Sequence, residues 1–159
     1  MNRVLVVGIG NILMGDDGFG SEVIRALEKE PLAQNVEIRD MGITGIDTAL
    51  ELEDYDMVIF IDAMEIDEAP GSLKMIKIEV EKISPAEALN LSRFSIHELS
   101  LETVLKFSKA IGTLPGEVFL LGCQPERFDI RHALSPSVGN AIPEAIREIT
   151  ELIEKKIQK

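Results

Sequence analysis

Cysteine is almost missing from this chain. Cys123 stands alone among 159 residues, which excludes an internal disulfide and any multi-cysteine zinc site; the role expected for it is a small buried hydrophobe ending a strand. Positive charge is scarce as well. Lys and Arg number 16 against 28 Asp and Glu, a formal net charge of -12, which argues against binding nucleic acid through its phosphates and against anionic membrane surfaces. No apolar run approaches the ~20 residues of a membrane-spanning helix. Met1-Asn2-Arg3 leads straight into a strand pattern, so no signal peptide is expected and the cytoplasm is the default compartment. There is no G-x-S-x-G, so a serine nucleophile elbow has no support. Repeats, low-complexity tracts and interdomain linkers are absent too.

What is present is an alternation of short apolar runs and amphipathic stretches. Strands are expected over Arg3–Gly8, Val36–Asp40, Met57–Asp62, Leu73–Val80 and Glu117–Gly122. Helices are expected over Phe19–Glu30, Ile46–Leu52, His97–Ile111 and Pro136–Lys156, the last with a break near Asn140 because Pro143 falls inside it. Continuous apolar strands are buried on both faces, as in parallel sheets covered by helices. The expected fold is therefore a single α/β domain over residues 1–159, with a twisted, mostly parallel five-stranded sheet and helices on both faces. One connection differs: only residues 63–72, with Pro70-Gly71, separate the third strand from the fourth. A parallel crossover needs about a dozen residues or more, so the strand at about 73–80 is expected to be antiparallel and at an edge.

Two carboxylates follow strands on what should be one rim of the sheet. Gly15-Asp16-Asp17-Gly18 follows the first strand, and Asp62 ends the third. Asp16 is assigned to the loop or to capping the next helix, and Asp17 to facing the site. Asp62, beside apolar neighbours, needs a cation, a donor or water. Ser95-Ile96-His97-Glu98 fits a capping box that sets His97 in the first turn of a helix, where the dipole keeps its imidazole neutral. Asp17, Asp62 and His97 together would suit zinc, nickel or cobalt with open positions. His132 earns no special role. Gly8-x-Gly10 invites a dinucleotide reading, but the third glycine position holds Leu13, and the acid ending the second strand, Asp40, comes about thirty residues after Gly10 rather than about twenty.

The run Gly8-Ile9-Gly10-Asn11-Ile12-Leu13-Met14-Gly15-Asp16-Asp17-Gly18-Phe19-Gly20 resembles the opening of the hydrogenase maturation endopeptidases. Ile61-Asp62-Ala63, Pro70-Gly71, Ser95-Ile96-His97-Glu98-Leu99, Gly122-Cys123-Gln124-Pro125-Glu126 and Leu134-Ser135-Pro136-Ser137-Val138 follow in that family's order. The resemblance implies an endopeptidase that removes the C-terminal extension from the precursor of a nickel–iron hydrogenase large subunit after nickel loading. It also implies metal contacts at Asp17, Asp62 and His97. The nickel would be carried by the precursor, and the isolated enzyme need hold none. The family's fold, five strands with one antiparallel, agrees with the reading above. One segment departs: where many members have Asp-Gly-Gly-Thr-x-Gly, this chain has Asp40-Met41-Gly42-Ile43-Thr44-Gly45. Asp16 and Asp40 are therefore kept as candidate substrate contacts. Two rival expectations remain, a general metal-dependent peptide hydrolase and a non-enzymatic nickel-sensing or nucleotide-binding module on the same scaffold.

Overall fold

The computed structural model describes residues 2–43, 46–84, 100–130 and 133–158, without the side chain of Ile46. His97, the Ser95–Glu98 capping box, Thr44 and His132 lie outside the described residues.

The strands form where apolar, β-branched runs occur: β1 Val4–Ile9, β2 Val36–Gly42, β3 Met57–Ala63, β4 Leu73–Ile78 and β5 Glu117–Cys123. Helices α1 Phe19–Leu27, α2 Ile46–Glu51, α3 Leu101–Ile111, α4 Pro136–Gly139 and α5 Ile142–Ile157 lie between or after them. They form one sheet in the order β2-β1-β3-β5-β4. All pairs are parallel except β4 with β5. The short connection over 63–72 therefore does what its length dictates, turning β4 back as an antiparallel edge strand.

Strand alternation sorts the core into two layers. Val4, Val6, Ile59, Ile61 and Leu121 face α1 and α5, through Val23, Leu27, Ala145, Ile149 and Ile153. Leu5, Val7, Val58, Phe60 and Val118 face the other way, onto Leu52, Tyr55 and Leu105. The sheet is thus covered on both faces, as the strand composition required.

Helices α3 and α1 depart from the sequence reading at their ends. Helix α3 begins at Leu101 rather than His97, because Ser100 is extended and its hydroxyl accepts the Thr103 N–H as an N-cap. Helix α1 stops at Leu27, and its N-cap is Gly18 with no side-chain cap, so neither Asp16 nor Asp17 caps it. The last helix divides at Asn140-Ala141 as expected. Pro143 falls in the first turn of α5, where a missing N–H costs nothing.

Gly8 and Gly20 let α1 lie directly on the sheet. A Cβ on Gly20 would fall on the carbonyl oxygens of Ile61 and Ile9, and one on Gly8 on the carbonyl of Gly20. Gly8 in β1 and Gly20 in α1 are thus spent on helix–sheet contact. Backbone carbonyls cannot yield as side chains do, so Gly20→Ala is expected to cost about 1–3 kcal/mol of stability. Urea unfolding measures this, and a midpoint equal to wild type would contradict it.

Candidate active site

The strand order reverses between β1 and β3, since β1 leads outward to β2 while β3 begins the opposite half. Helix α1 covers one face there and the Leu52–Tyr55 region the other. The carboxyl ends of β1 and β3 meet there, the position where open α/β sheets bind their ligands. Both candidate carboxylates are found there. Asp17 lies on the 3-10 turn Gly15–Gly18 that follows β1, and Asp62 is the penultimate residue of β3, level with Gly122 of β5.

Asp17 is half-buried, and its Oδ2 accepts the Asn11 N–H at 2.8 Å. Asn11 in turn accepts the Leu13 N–H on its side chain, so the loop holds its own carboxylate in place. Gly10, at φ 123°, makes this possible. Its N–H donates to the Gly42 carbonyl at 2.8 Å, and a Cβ there would overlap the Asp17 carbonyl.

Asp62 is the more unusual group. Its Oδ1 is shut off from solvent and has no hydrogen-bond partner among the described residues. Burial first, and the Asp17 carboxylate second, push its pKa up to about 7, against a small opposing effect of the Ala63 N–H. An orphaned carboxylate oxygen beside a second carboxylate is what an incoming cation would satisfy. Among the described residues no group of three or more His, Cys, Asp or Glu side chains converges on one ion-sized point. Asp17 and Asp62 are therefore the two positions of the expected trio that the structure places together at the switch point.

Asp16 corrects its expected role. It is fully buried rather than poised for substrate. Oδ2 accepts the N–H groups of Glu126 (2.8 Å) and Arg127 (3.0 Å), and Oδ1 accepts the N–H of Ser135 (2.7 Å). The Ser135 hydroxyl lies within 2.9 Å of both oxygens. Its own N–H donates to the Arg127 carbonyl at 3.1 Å. Burial opposes the charge, but the donors of Ser135, Arg127 and Glu126 outweigh it and hold the carboxyl below its ordinary range. One buried carboxylate thereby ties the turn carrying Asp17 to the loop between β5 and α4.

Asp40 is exposed, with Oδ1 accepting from the Ser21 hydroxyl (2.8 Å) and the Gly42 N–H (3.0 Å). It fastens the end of β2 to α1. Cys123 is a buried core residue whose thiol is pushed up to about 12, by burial first and by the Asp16 charge second. It is therefore no nucleophile.

Two supporting residues escaped the sequence reading. Ser135 stands before Pro136, at the N-cap position of α4. Its hydroxyl serves Asp16 instead of the helix. Gln124, buried, accepts the Ile66 N–H on Oε1 and donates from Nε2 to Glu65, both at 2.8 Å. It fixes the loop that leaves Asp62. A polar side chain directly after a buried strand was the available signal for it.

Comparison with known proteins agrees with this geometry. The family model described as hydrogenase maturation protease matches residues 21–152. A putative hydrogenase maturation protease of Methanocaldococcus jannaschii is 38% identical over 96% of this chain and 97% of its own. The crystal structure of a hydrogenase 2 maturation peptidase from a Thaumarchaeota archaeon is 43% identical, with TM-score 0.75 over 96% of this chain and 98% of that one. The hydrogenase maturating endopeptidase HybD from Escherichia coli is 31% identical, with TM-score 0.80 over 97% and 93%. The strand order, the switch-point carboxylates and these matches together place the chain in the hydrogenase maturation protease family, as a peptide-bond hydrolase of hydrogenase maturation.

Proposed function

We propose that the protein removes a C-terminal extension from the nickel-loaded large-subunit precursor of a nickel–iron hydrogenase, in the cytoplasm, with Asp17, Asp62 and His97 meeting the nickel that the precursor brings. The observation that carries this reading is the buried Oδ1 of Asp62, without a partner among the described residues, beside Asp17 at the switch point. A substrate-borne cation supplies the missing partner, and the two carboxylates supply hard oxygen ligands to a borderline metal. Nickel bound in the precursor then acts as a checkpoint, because only a loaded precursor brings the charge that relieves the repulsion between the two acids.

The protein's own contribution is positioning and proton handling. A carboxylate set beside the scissile bond can accept a proton from an attacking water and return it to the leaving amine. Asn11 orients Asp17, and Gln124 holds the chain beyond Asp62, so both carboxylates are preset before substrate arrives. Among the described residues no helix is long and apolar enough to cross a membrane.

The test is cleavage of nickel-loaded and nickel-free precursor by the wild-type protein, read by mass spectrometry of the precursor's C-terminus. Loss of a C-terminal segment from the loaded form alone is the expected result. Equal cleavage of both forms would remove the checkpoint, and cleavage of neither would overturn the assignment of substrate.

A further inference from the structure

Of the eight large apolar side chains exposed among the described residues, five lie in loops, and the other three, Leu50, Ile111 and Ile157, lie in helices. Ile12 and Leu13 follow β1, Ile43 follows β2, and Phe128 and Ile130 lie in the loop after β5. Because β1, β2, β3 and β5 are all parallel, these three loops leave the sheet on the same rim as Asp62. They also touch. The Gly10 N–H donates to Gly42, joining the first loop to the second, and the Asp16 N–H donates to Arg127, joining the first to the third. The apolar residues therefore sit on three joined loops, Ile43 on one, Ile12 and Leu13 on the next and Phe128 and Ile130 on the third, a stripe of loops that includes the turn carrying Asp17. Ile130 is 87% exposed and the other four between 42% and 49%. Such residues scattered singly need no explanation, whereas gathered on one rim they mark a docking surface.

We propose that this stripe is the docking surface for the precursor polypeptide, and that it receives an apolar stretch of the substrate chain bordering the bond to be cut. The inference rests on the reading that cleavage takes place at Asp17 and Asp62. Two observations choose this occupant. The stripe is continuous with the acid pair, so a chain bound at the switch point has to lie across it. The loop bearing Phe128 and Ile130 is also clamped from beneath by the buried Asp16 carboxylate, which presents its apolar residues without an ordering cost on binding. Specificity for one precursor over another is then set by these loop residues, while the acids supply the chemistry common to all.

The test uses the full-length protein and nickel-loaded precursor, with initial cleavage rates measured across precursor concentration. The variants are Ile130→Glu and the pair Phe128→Glu with Ile130→Glu, each first checked for an unchanged melting temperature. Ile130→Ser is a milder second choice if the glutamates alter it. The control is Ile157→Glu, another exposed apolar residue, which packs near Val36 at the opposite end of the sheet. The expected result is a loss of about ten-fold or more in rate at low precursor concentration, recovered as precursor is raised, with Ile157→Glu matching wild type. Wild-type rates in the rim variants would overturn the docking surface, and so would a loss that added precursor does not recover. Should wild type cleave nothing, the reading of the site fails separately. Titration of the precursor against wild type and Ile130→Glu then decides the surface by itself, with equal affinities overturning it.

Discussion

Asp62→Asn is expected to slow precursor cleavage roughly a hundred- to ten-thousand-fold while making the folded protein more stable at alkaline pH. The two effects have one cause. Burial and the neighbouring Asp17 raise the Asp62 carboxyl to about 7, so the folded chain holds that proton more tightly than the unfolded chain does. A folded-state pKa above the unfolded value near 4 means that stability falls as pH rises from about 4 to about 7, and that the full penalty is present above pH 7. Its size is on the order of 4 kcal/mol. An asparagine carries no charge and escapes most of it. The melting temperature of Asp62→Asn should therefore exceed that of wild type at pH 8, and the gap should shrink towards pH 4. A gap independent of pH would show that Asp62 is not the strained group. Full activity in the variant would remove it from the chemistry.

Asp16→Ala is expected to destabilise the protein by about 3–5 kcal/mol, a large part of the ~5–15 kcal/mol that holds a typical domain together. The substitution leaves the N–H groups of Glu126, Arg127 and Ser135 without their acceptor in a site that water does not reach. The pH signature is the reverse of that for Asp62. The folded Asp16 carboxyl is held below its ordinary range. Its contribution is therefore fully present above pH 4 and is lost as pH falls through the lowered value. Denaturant unfolding of Asp16→Ala and wild type near neutral pH should show the full difference, and the two should converge in strong acid. Ser135→Ala, which removes the hydroxyl but keeps the N–H, should cost less than half as much.

Much of this architecture was legible in the sequence because it is written in short-range chemistry. The uninterrupted apolar runs at Val4–Ile9 and Met57–Ala63 announce strands covered on both faces. Ten residues between Asp62 and Leu73 are too few for a parallel crossover, so β4 had to turn back. Asp17 and Asp62 could be placed on one rim by strand direction alone. What could not be read was any relation between distant segments. Asp16 and Asp17 are identical neighbours in the chain, yet one is sealed under the β5–α4 loop while the other lies at the switch point. Only the positions of Glu126, Arg127 and Ser135, more than a hundred residues away, distinguish them. Ser135 before Pro136 reads as an N-cap by every local rule, and its hydroxyl is drawn off by a buried charge that no local rule contains. Helix α3 is capped by Ser100, and the Ser95 box expected to start it lies outside the described residues.

The bond between Asp16 and Ser135 closes a separation of 119 residues. During synthesis the chain emerges amino end first, and β1, α1, β2 and β3 are all available long before Ser135 leaves the ribosome. Until then the Asp16 carboxylate has no buried donors and the Asp17 turn has no floor. Contacts of such long range form late and slow the final step of folding. The turn that carries Asp17 is therefore fully seated only when nearly the whole chain is complete.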